Sequence, residues 1–263
     1  MTKEHENMTV KNTTLELREM LEASTSCVVF TGAGISTESG IPDFRSPTGL
    51  WKNNMPIDFR DFVASPEARI EAWRRKFALE DKFLAAKPTR GHITVAHLIN
   101  IGRATCVITQ NIDNLHQFSG IETDKIIELH GNGSYATCLD CHKRHEMKWI
   151  GTVFKATGMP PECPQCGGIV KSATISFGQS MPEQEVQDAQ TASLACDLFI
   201  VLGSSLVVYP AAGFPVLAKR NGAKLVIINR EETELDVIAD LVAHEDIGDI
   251  MNPLMEMKPA SLN

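Results

Sequence analysis

Five short polar runs carry the side-chain types that could do chemistry in this chain, and most of them follow an apolar run. The first, Gly32-Ala33-Gly34, comes after Cys27-Val28-Val29-Phe30, within VVFTGAGISTESGIPDFR at Val28 to Arg45. A buried strand feeding a glycine turn and a helix N-terminus lets backbone N–H groups approach a pyrophosphate. Many tight turns need such glycines as well. The ordinary dinucleotide fingerprint is incomplete: Thr37 replaces the third glycine, and no acidic residue closes a second strand about 20 residues on. The loop that follows instead carries an acid, an aromatic ring and a guanidinium, Asp43, Phe44 and Arg45, which suits chemistry on a nucleotide. The remaining runs are Gln110-Asn111-Ile112-Asp113, His130-Gly131, Gly203-Ser204-Ser205 and Asn229-Arg230. An imidazole titrates near neutrality and can act as a general base; on the residues alone, His116 has as good a claim as His130. Plainer roles stand beside these. A histidine at a strand end can be structural, Asn111 and Asp113 can cap the following helix, and Arg45 can form a surface ion pair instead of a phosphate clamp.

The seven cysteines divide by spacing. Cys138-x-x-Cys141 and Cys163-x-x-Cys166 are separated by 21 residues, whereas Cys27, Cys106 and Cys196 sit in apolar runs. Two such pairs in a chain without a secretion signal form two knuckles, and four thiolates close a tetrahedron around a structural zinc with no position left for water. His142 and His145 are then read as solvated, and the other three cysteines as core residues.

These groups need a scaffold. The pattern predicts a helix over Thr13–Ser24, with Leu17, Met20 and Leu21 on one face, and a helical region with loops from Ser46 to Lys87 whose aromatic residues belong to a core. A helix over 91–101 precedes the strand Cys106-Val107-Ile108, and Ile126–Leu129 forms another. Helix Pro182–Ala195, strand Leu198–Leu202, helix Ala211–Arg220 and strand Leu225–Ile228 restore the alternation after the cysteine segment. Such alternation gives an α/β fold, a mainly parallel sheet with helices on both faces. Ligands in these folds bind beyond the carboxyl ends of the strands, where the polar runs fall. The 263 residues suffice for one large domain with a smaller one inserted, and 43% hydrophobic with 22% charged residues is ordinary for a soluble globular protein. No apolar run is long enough to span a bilayer, and residues 1–12 are too polar for a signal peptide. The net charge of −8 argues against general nucleic-acid binding and is compatible with cationic protein substrates. The expected location is cytoplasmic.

Taken in order, GAGISTESGIPDFR at 32–45, TQNIDNLH at 109–116, LHG at 129–131, the two cysteine pairs, FGQSMP at 177–182, GSSLVVYPA at 203–211 and IINR at 227–230 closely resemble the sirtuin family of NAD-dependent protein lysine deacylases. The resemblance covers roughly residues 13–250. It implies a Rossmann-like large domain (13–45, 91–131 and 176–250) and a small domain made of a helical module (46–90) and a zinc ribbon (132–175), with residues 1–12 disordered and 251–263 a tail. NAD would lie against Gly32, Ala33, Gly34, Glu38, Asp43, Phe44, Arg45, Gln110, Asn111, Ile112, Asp113, His130, Gly203, Ser204, Ser205, Asn229, Arg230 and Ile247. His130 would be the general base, with Asn111 and Asp113 beside it, and Cys138, Cys141, Cys163 and Cys166 would hold Zn2+. The acylated lysine of a protein or peptide would meet Ile175, Phe177, Gly178 and Val207. The implied products are nicotinamide, O-acyl-ADP-ribose and free lysine.

Two departures bear on specificity. The family's Phe-Gly-Glu reads Phe177-Gly178-Gln179 here, on the strand that a peptide would extend. The Tyr-x-x-Arg pair of the branch that removes acidic acyl groups is missing from the helical module, which carries WRRKFAL at 73–79 instead. Acetyl or a longer apolar acyl group is therefore expected. Mono-ADP-ribosyl transfer through the same NAD cleavage and a non-catalytic NAD-sensing module are the competing readings, and a monomer is favoured.

Overall fold

The computed structural model describes residues 3–43, 49 and 55–260. In chain order it runs α1 (Lys3–Ala23), β1 (Cys27–Thr31), α2 (Phe59–Ala64), α3 (Pro66–Ala78), α4 (Glu80–Ala85), α5 (Arg90–Asn100), β2 (Cys106–Thr109), α6 (Leu115–Phe118) and β3 (Ile126–Glu128). It continues through β4 (Gly131–Cys138), β5 (Arg144–Glu146), α7 (Met147–Thr157), β6 (Val170–Thr174), α8 (Glu183–Ala195), β7 (Leu198–Leu202), α9 (Gly213–Arg220), β8 (Lys224–Ile228), β9 (Leu241–Ala243) and α10 (Ile247–Met251).

Six strands form one sheet in the order β3-β2-β1-β7-β8-β9, every neighbouring pair parallel. The central strands are apolar almost throughout because both faces are covered. Side chains alternate across the sheet: Val29, Ile200, Leu202 and Val226 meet Leu17 and Leu21 of α1, Val95 and Leu98 of α5, and Ile250 of α10. Phe30, Phe199, Val201 and Ile227 face Ala189 of α8 and Phe214 and Ala218 of α9 on the other side. The α/β reading is therefore met, with β9 a sixth strand that the sequence pattern did not single out.

A second sheet, β5-β4-β6, is antiparallel and carries the cysteines. Its core is shared with α3. Trp73 of α3 lies 2% exposed among Ala136, Cys138, Ile150, Cys163 and Val170, stacked on Phe77 at 5.6 Å. Two distant stretches of chain thus build one small module around an indole.

Both chain ends differ from the expected picture. The stretch expected to be disordered is helical from Lys3, because Val10 continues the Leu17–Leu21 stripe onto the sheet core while the polar face looks to solvent. The expected tail also packs: Leu254 and Met257 are buried, His97 Nε2 lies 3.2 Å from the Met257 carbonyl, and the Ala260 N–H donates to the Ile101 carbonyl. Among the described residues no helix is long and apolar enough to cross a membrane.

Candidate active site at the carboxyl ends of the strands

β1 is where the sheet changes direction, with β2 on one side and β7 on the other, so a crevice opens beyond their carboxyl ends. Two glycine turns meet there. The Gly32 N–H donates to Leu202 O at 3.0 Å and the Gly34 N–H to Gly203 O at 2.8 Å. A Cβ on Gly32 would stand 2.7 Å from Gly203 O, and one on Gly34 would stand 2.6 Å from Gly203 Cα. These glycines let two backbones touch and keep the cradle's surface made of main chain. The residues after Gly32 form a single 3-10 helix, Ala33–Ser39, rather than a full α-helix.

A cavity of about 860 Å³ opens over this junction, within the usual range of roughly 300–1,000 Å³ for ligand pockets. Gly32, Ala33, Gly34, Glu38 and Asp43 line it from the β1 end; Gln110, Asn111, Ile112 and His130 from β2 and β3; Gly203, Ser204 and Ser205 from β7; and Asn229, Arg230 and Ile247 from the far side. Ile175, Phe177 and Gly178 come from the small-module side. Asp113 lies behind the wall and Val207 stands outside it, 49% exposed. Phe44 and Arg45 lie outside the described residues.

The polar groups form a connected set. His130 Nδ1 lies 3.1 Å from the Gln110 carbonyl, which can only accept, so the ring proton sits on Nδ1 and Nε2 is the basic nitrogen. Gln110 Nε2 donates to Ser204 Oγ at 2.8 Å, joining the β2 and β7 ends. Asn111, 7% exposed, donates through Nδ2 to Gly32 O at 3.1 Å and to Ser36 Oγ at 3.2 Å. Ser36 donates to Asp113 Oδ2 at 2.6 Å, and the Leu115 N–H donates to Asp113 Oδ1 at 3.0 Å. Desolvation raises the Asp113 pKa against these bonds. Asp113 thus caps the next turn and also anchors Ser36.

At the far end, Arg230 Nε donates to Asp246 Oδ1 at 2.6 Å, and Asn229 Nδ2 turns to the Glu231 carbonyl. Glu38 pairs with Arg90 at 2.5 Å, and Arg90 also holds Asp249 at 2.6 Å. Ser36, Arg90 and Asp246 had no assigned role in the sequence reading. Ser36 lay in plain sight within the glycine motif, whereas the last two carry no local signal. His116 is separated from the cleft: it is buried, with Nε2 2.9 Å from Thr31 Oγ1, and desolvation holds its pKa at about 3. Geometry therefore separates the two histidines that their residue type left equal.

The Phe177-Gly178-Gln179 turn is fixed from both sides. Gln179 Oε1 accepts from the Ser176 N–H at 3.2 Å, a bond a glutamate would also accept, and Phe59 N–H donates to Phe177 O. Ile175 N–H donates to His130 O at 2.8 Å, tying the candidate peptide edge to the candidate base.

The four thiols lie within 4.8 Å of one another. Cys138 and Cys166 Sγ are 3.5 Å apart, and Cys141 and Cys163 Sγ 3.7 Å. A tetrahedron with metal–sulfur bonds of about 2.3 Å has edges of about 3.8 Å, so the cluster fits a structural Zn2+. His142 is exposed as expected. His145 is not solvated: it is 6% exposed, pairing on β5 with Ala136 and meeting Trp149 in a tilted ring contact at 5.1 Å, because its position in the strand points it inward.

A parallel sheet with a main-chain glycine cradle at its switch point, facing across a polar cleft a module whose four cysteines can hold a metal ion, has the architecture of a dinucleotide-binding α/β protein. The sequence pattern of the Sir2 family matches residues 32–210. The chain belongs to that family. It is 57% identical over 240 residues to the NAD-dependent protein deacetylase of Rhodopseudomonas palustris, covering 91% of this chain and 95% of the relative. It is also 57% identical to NAD-dependent protein deacetylase 1 of Bradyrhizobium diazoefficiens, over 91% and 94% of the two chains. Among solved structures, a Sir2 variant with deacetylated p53 peptide and 3'-O-acetyl ADP ribose superposes with a TM-score of 0.84 at 38% identity, covering 94% of this chain and 98% of that one. A Sir2–p53 peptide–NAD+ complex gives 0.83 at 38% identity, over 92% and 96%.

Proposed function

We propose that this chain removes acyl groups, acetyl first among them, from protein lysine side chains at the expense of NAD. Bound NAD supplies a labile bond between nicotinamide and ribose. The observation that carries the reading is that His130, Gln110 and Asn111 line the same cavity as the Gly32–Gly34 and Gly203–Ser204 cradle. The cradle and the Asn229–Arg230 end hold the dinucleotide. Gln110, Asn111 and Asp113 orient its nicotinamide ribose, the last of them through Ser36. An acyl-lysine amide is uncharged and enters the cleft past Ile112, Ile175 and Phe177 without the desolvation cost of an ammonium ion. Ile175, Phe177, Gly178 and Val207 receive the peptide as an added strand. His130, with its proton on Nδ1, takes a ribose hydroxyl proton at Nε2.

The zinc ribbon is structural in this reading, since four thiolates leave no coordination position for a reactant. The reaction is assigned to the cytoplasm, with a monomer acting on acylated proteins and without a nucleic-acid or membrane partner; free cysteines suit a reducing compartment, and a net charge of −8 disfavours nucleic acid.

The deciding experiment measures nicotinamide release from NAD with acetylated peptide, myristoylated peptide or neither, for wild type and His130→Ala. Acyl-dependent release that the substitution abolishes supports deacylation. Release without peptide, with label transferred to protein, replaces it by ADP-ribosyl transfer. No turnover from a zinc-loaded, NAD-binding sample leaves a sensing module.

A further inference from the structure

Two buried imidazoles sit beneath the cleft, outside the machinery described so far. His92 is the third residue of α5 and completes a capping box: the Thr89 N–H donates to its Nδ1 at 3.2 Å, and Thr89 Oγ1 lies 2.7 Å from the same nitrogen. An amide N–H only donates, so Nδ1 holds the lone pair and the ring proton sits on Nε2. The other ring, His116, meets Thr31 Oγ1 through Nε2, and the Thr31 hydroxyl donates to Thr109 Oγ1 at 2.8 Å. The Thr31 oxygen is then left to accept from His116 Nε2–H, and His116 Nδ1 becomes an acceptor.

Both remaining nitrogens, His92 Nε2 and His116 Nδ1, are buried without a hydrogen-bond partner among the described residues. The ring centroids are 4.8 Å apart. One orphan is a donor and the other an acceptor, and a buried polar atom left unmatched is costly. Desolvation keeps both rings unprotonated, His116 at about 3 and His92 well below its ordinary value, the latter also through its neighbour.

The pair reaches the site from both sides. The Asn111 N–H donates to Thr109 Oγ1 at 3.0 Å, while Thr89, whose hydroxyl proton turns to His92 Nδ1, stands at the cleft wall with Oγ1 3.0 Å from Ile35 O in the glycine turn. We propose that one buried water links Nε2–H of His92 to Nδ1 of His116, and that this pair, through Thr31 and Thr109, positions Asn111 against the Gly32–Gly34 turn. The proposal rests on the reading of Asn111 as a nicotinamide-side residue.

Two measurements test it. Imidazole 15N spectra at neutral pH report tautomers independently of activity: both rings are expected as Nε2–H forms, and an Nδ1–H form at His116 overturns the pairing. The kinetic test compares His116→Leu with His116→Gln, whose amide N–H reproduces the bond to Thr31. In His116→Leu, nicotinamide release at saturating acetyl peptide is expected to fall by about 10- to 100-fold, with a raised KM for NAD. The peptide KM is expected to stay within about twofold, and His116→Gln to recover most of the loss. Unchanged kinetics in His116→Leu, or an equal loss in both variants, overturns the positioning role. If His116→Leu does not fold, Thr31→Val breaks the same link isosterically; the same kinetic split is expected, and wild-type kinetics overturn the role. A wild-type protein that releases no nicotinamide would refute the assigned reaction, while the tautomer spectrum still decides the pairing.

Discussion

Gly203→Ala is the sharpest probe of the cradle. Gly203 has φ +66°, and an added Cβ would lie 2.4 Å from Ile35 N, 2.6 Å from Gly34 C and 2.7 Å from Gly34 Cα. All three neighbours are main chain, so no side chain can swing away. Restoring a tolerable separation of about 3.0–3.4 Å requires the two turns to part by roughly 0.6–1 Å, and the left-handed backbone adds about 1–2 kcal/mol. A displacement of that size at a group that orients a reactant costs up to about 100-fold in rate. The NAD KM should therefore rise at least about tenfold, and the urea midpoint should fall, while the zinc content stays unchanged. Gly213→Ala is the matched control. A Cβ there meets nothing within 4 Å at the start of α9, and stability should rise by up to about 1 kcal/mol with unaltered kinetics. Wild-type NAD KM and urea midpoint in Gly203→Ala would refute the contact argument.

His130→Ala should lower acyl-dependent nicotinamide turnover by about 10²–10⁴-fold with little change in NAD affinity; a calorimetric titration beside the kinetics separates the two, and retained turnover would exclude His130 as base. Stripping metal from the four cysteines with a chelator should melt the small module and shift the emission of Trp73, while the far-UV signal of the parallel sheet persists; an unchanged emission spectrum would count against zinc as the module's staple. Acid should act through His92 and His116. Both are held unprotonated in the fold, His116 down to about 3, whereas the unfolded chain takes up protons near pH 6.5. The unfolded state binds more protons in that window, so stability falls as pH drops from about 6.5 towards 3, by up to about 1.4 kcal/mol per pH unit for each ring. Urea midpoints across that range should show the slope in wild type and a shallower one in His116→Gln.

Local physics made much of this legible. Continuous apolar runs announced strands buried on both faces, and the spacing of two Cys-x-x-Cys pairs announced the metal knuckles, because each signal is contained within a few residues. The glycine cradle could be located but not explained from sequence: its need for glycine arises between Gly34 and Gly203, which touch only through the sheet register. His130 and His116 were equivalent as residue types, and only their depth below the strand ends separates them. Arg90 and Asp246 lacked any signal, since their partners Glu38, Asp249 and Arg230 are assembled by tertiary packing. The N-terminal helix escapes the pattern because a polar exposed face outweighs Val10, and His145 because a tetrahedron filled by four cysteines says nothing of a strand face that points inward.

The register of β1 has a consequence for how the chain comes into being. β1 (Cys27–Thr31) bonds to β7 (Leu198–Leu202), which is synthesised about 170 residues later. At ordinary elongation speeds of about 5–20 residues per second, that central strand waits roughly 10–35 s for its second neighbour. The small antiparallel sheet needs only the span Gly131–Thr174 for its strands, so the cysteine module can capture metal and close while one edge of β1 is still unpaired. Gly203 leaves the ribosome directly after β7. The last strand to secure β1 therefore also completes the cradle, and nucleotide binding becomes available only to a chain whose central sheet has already formed.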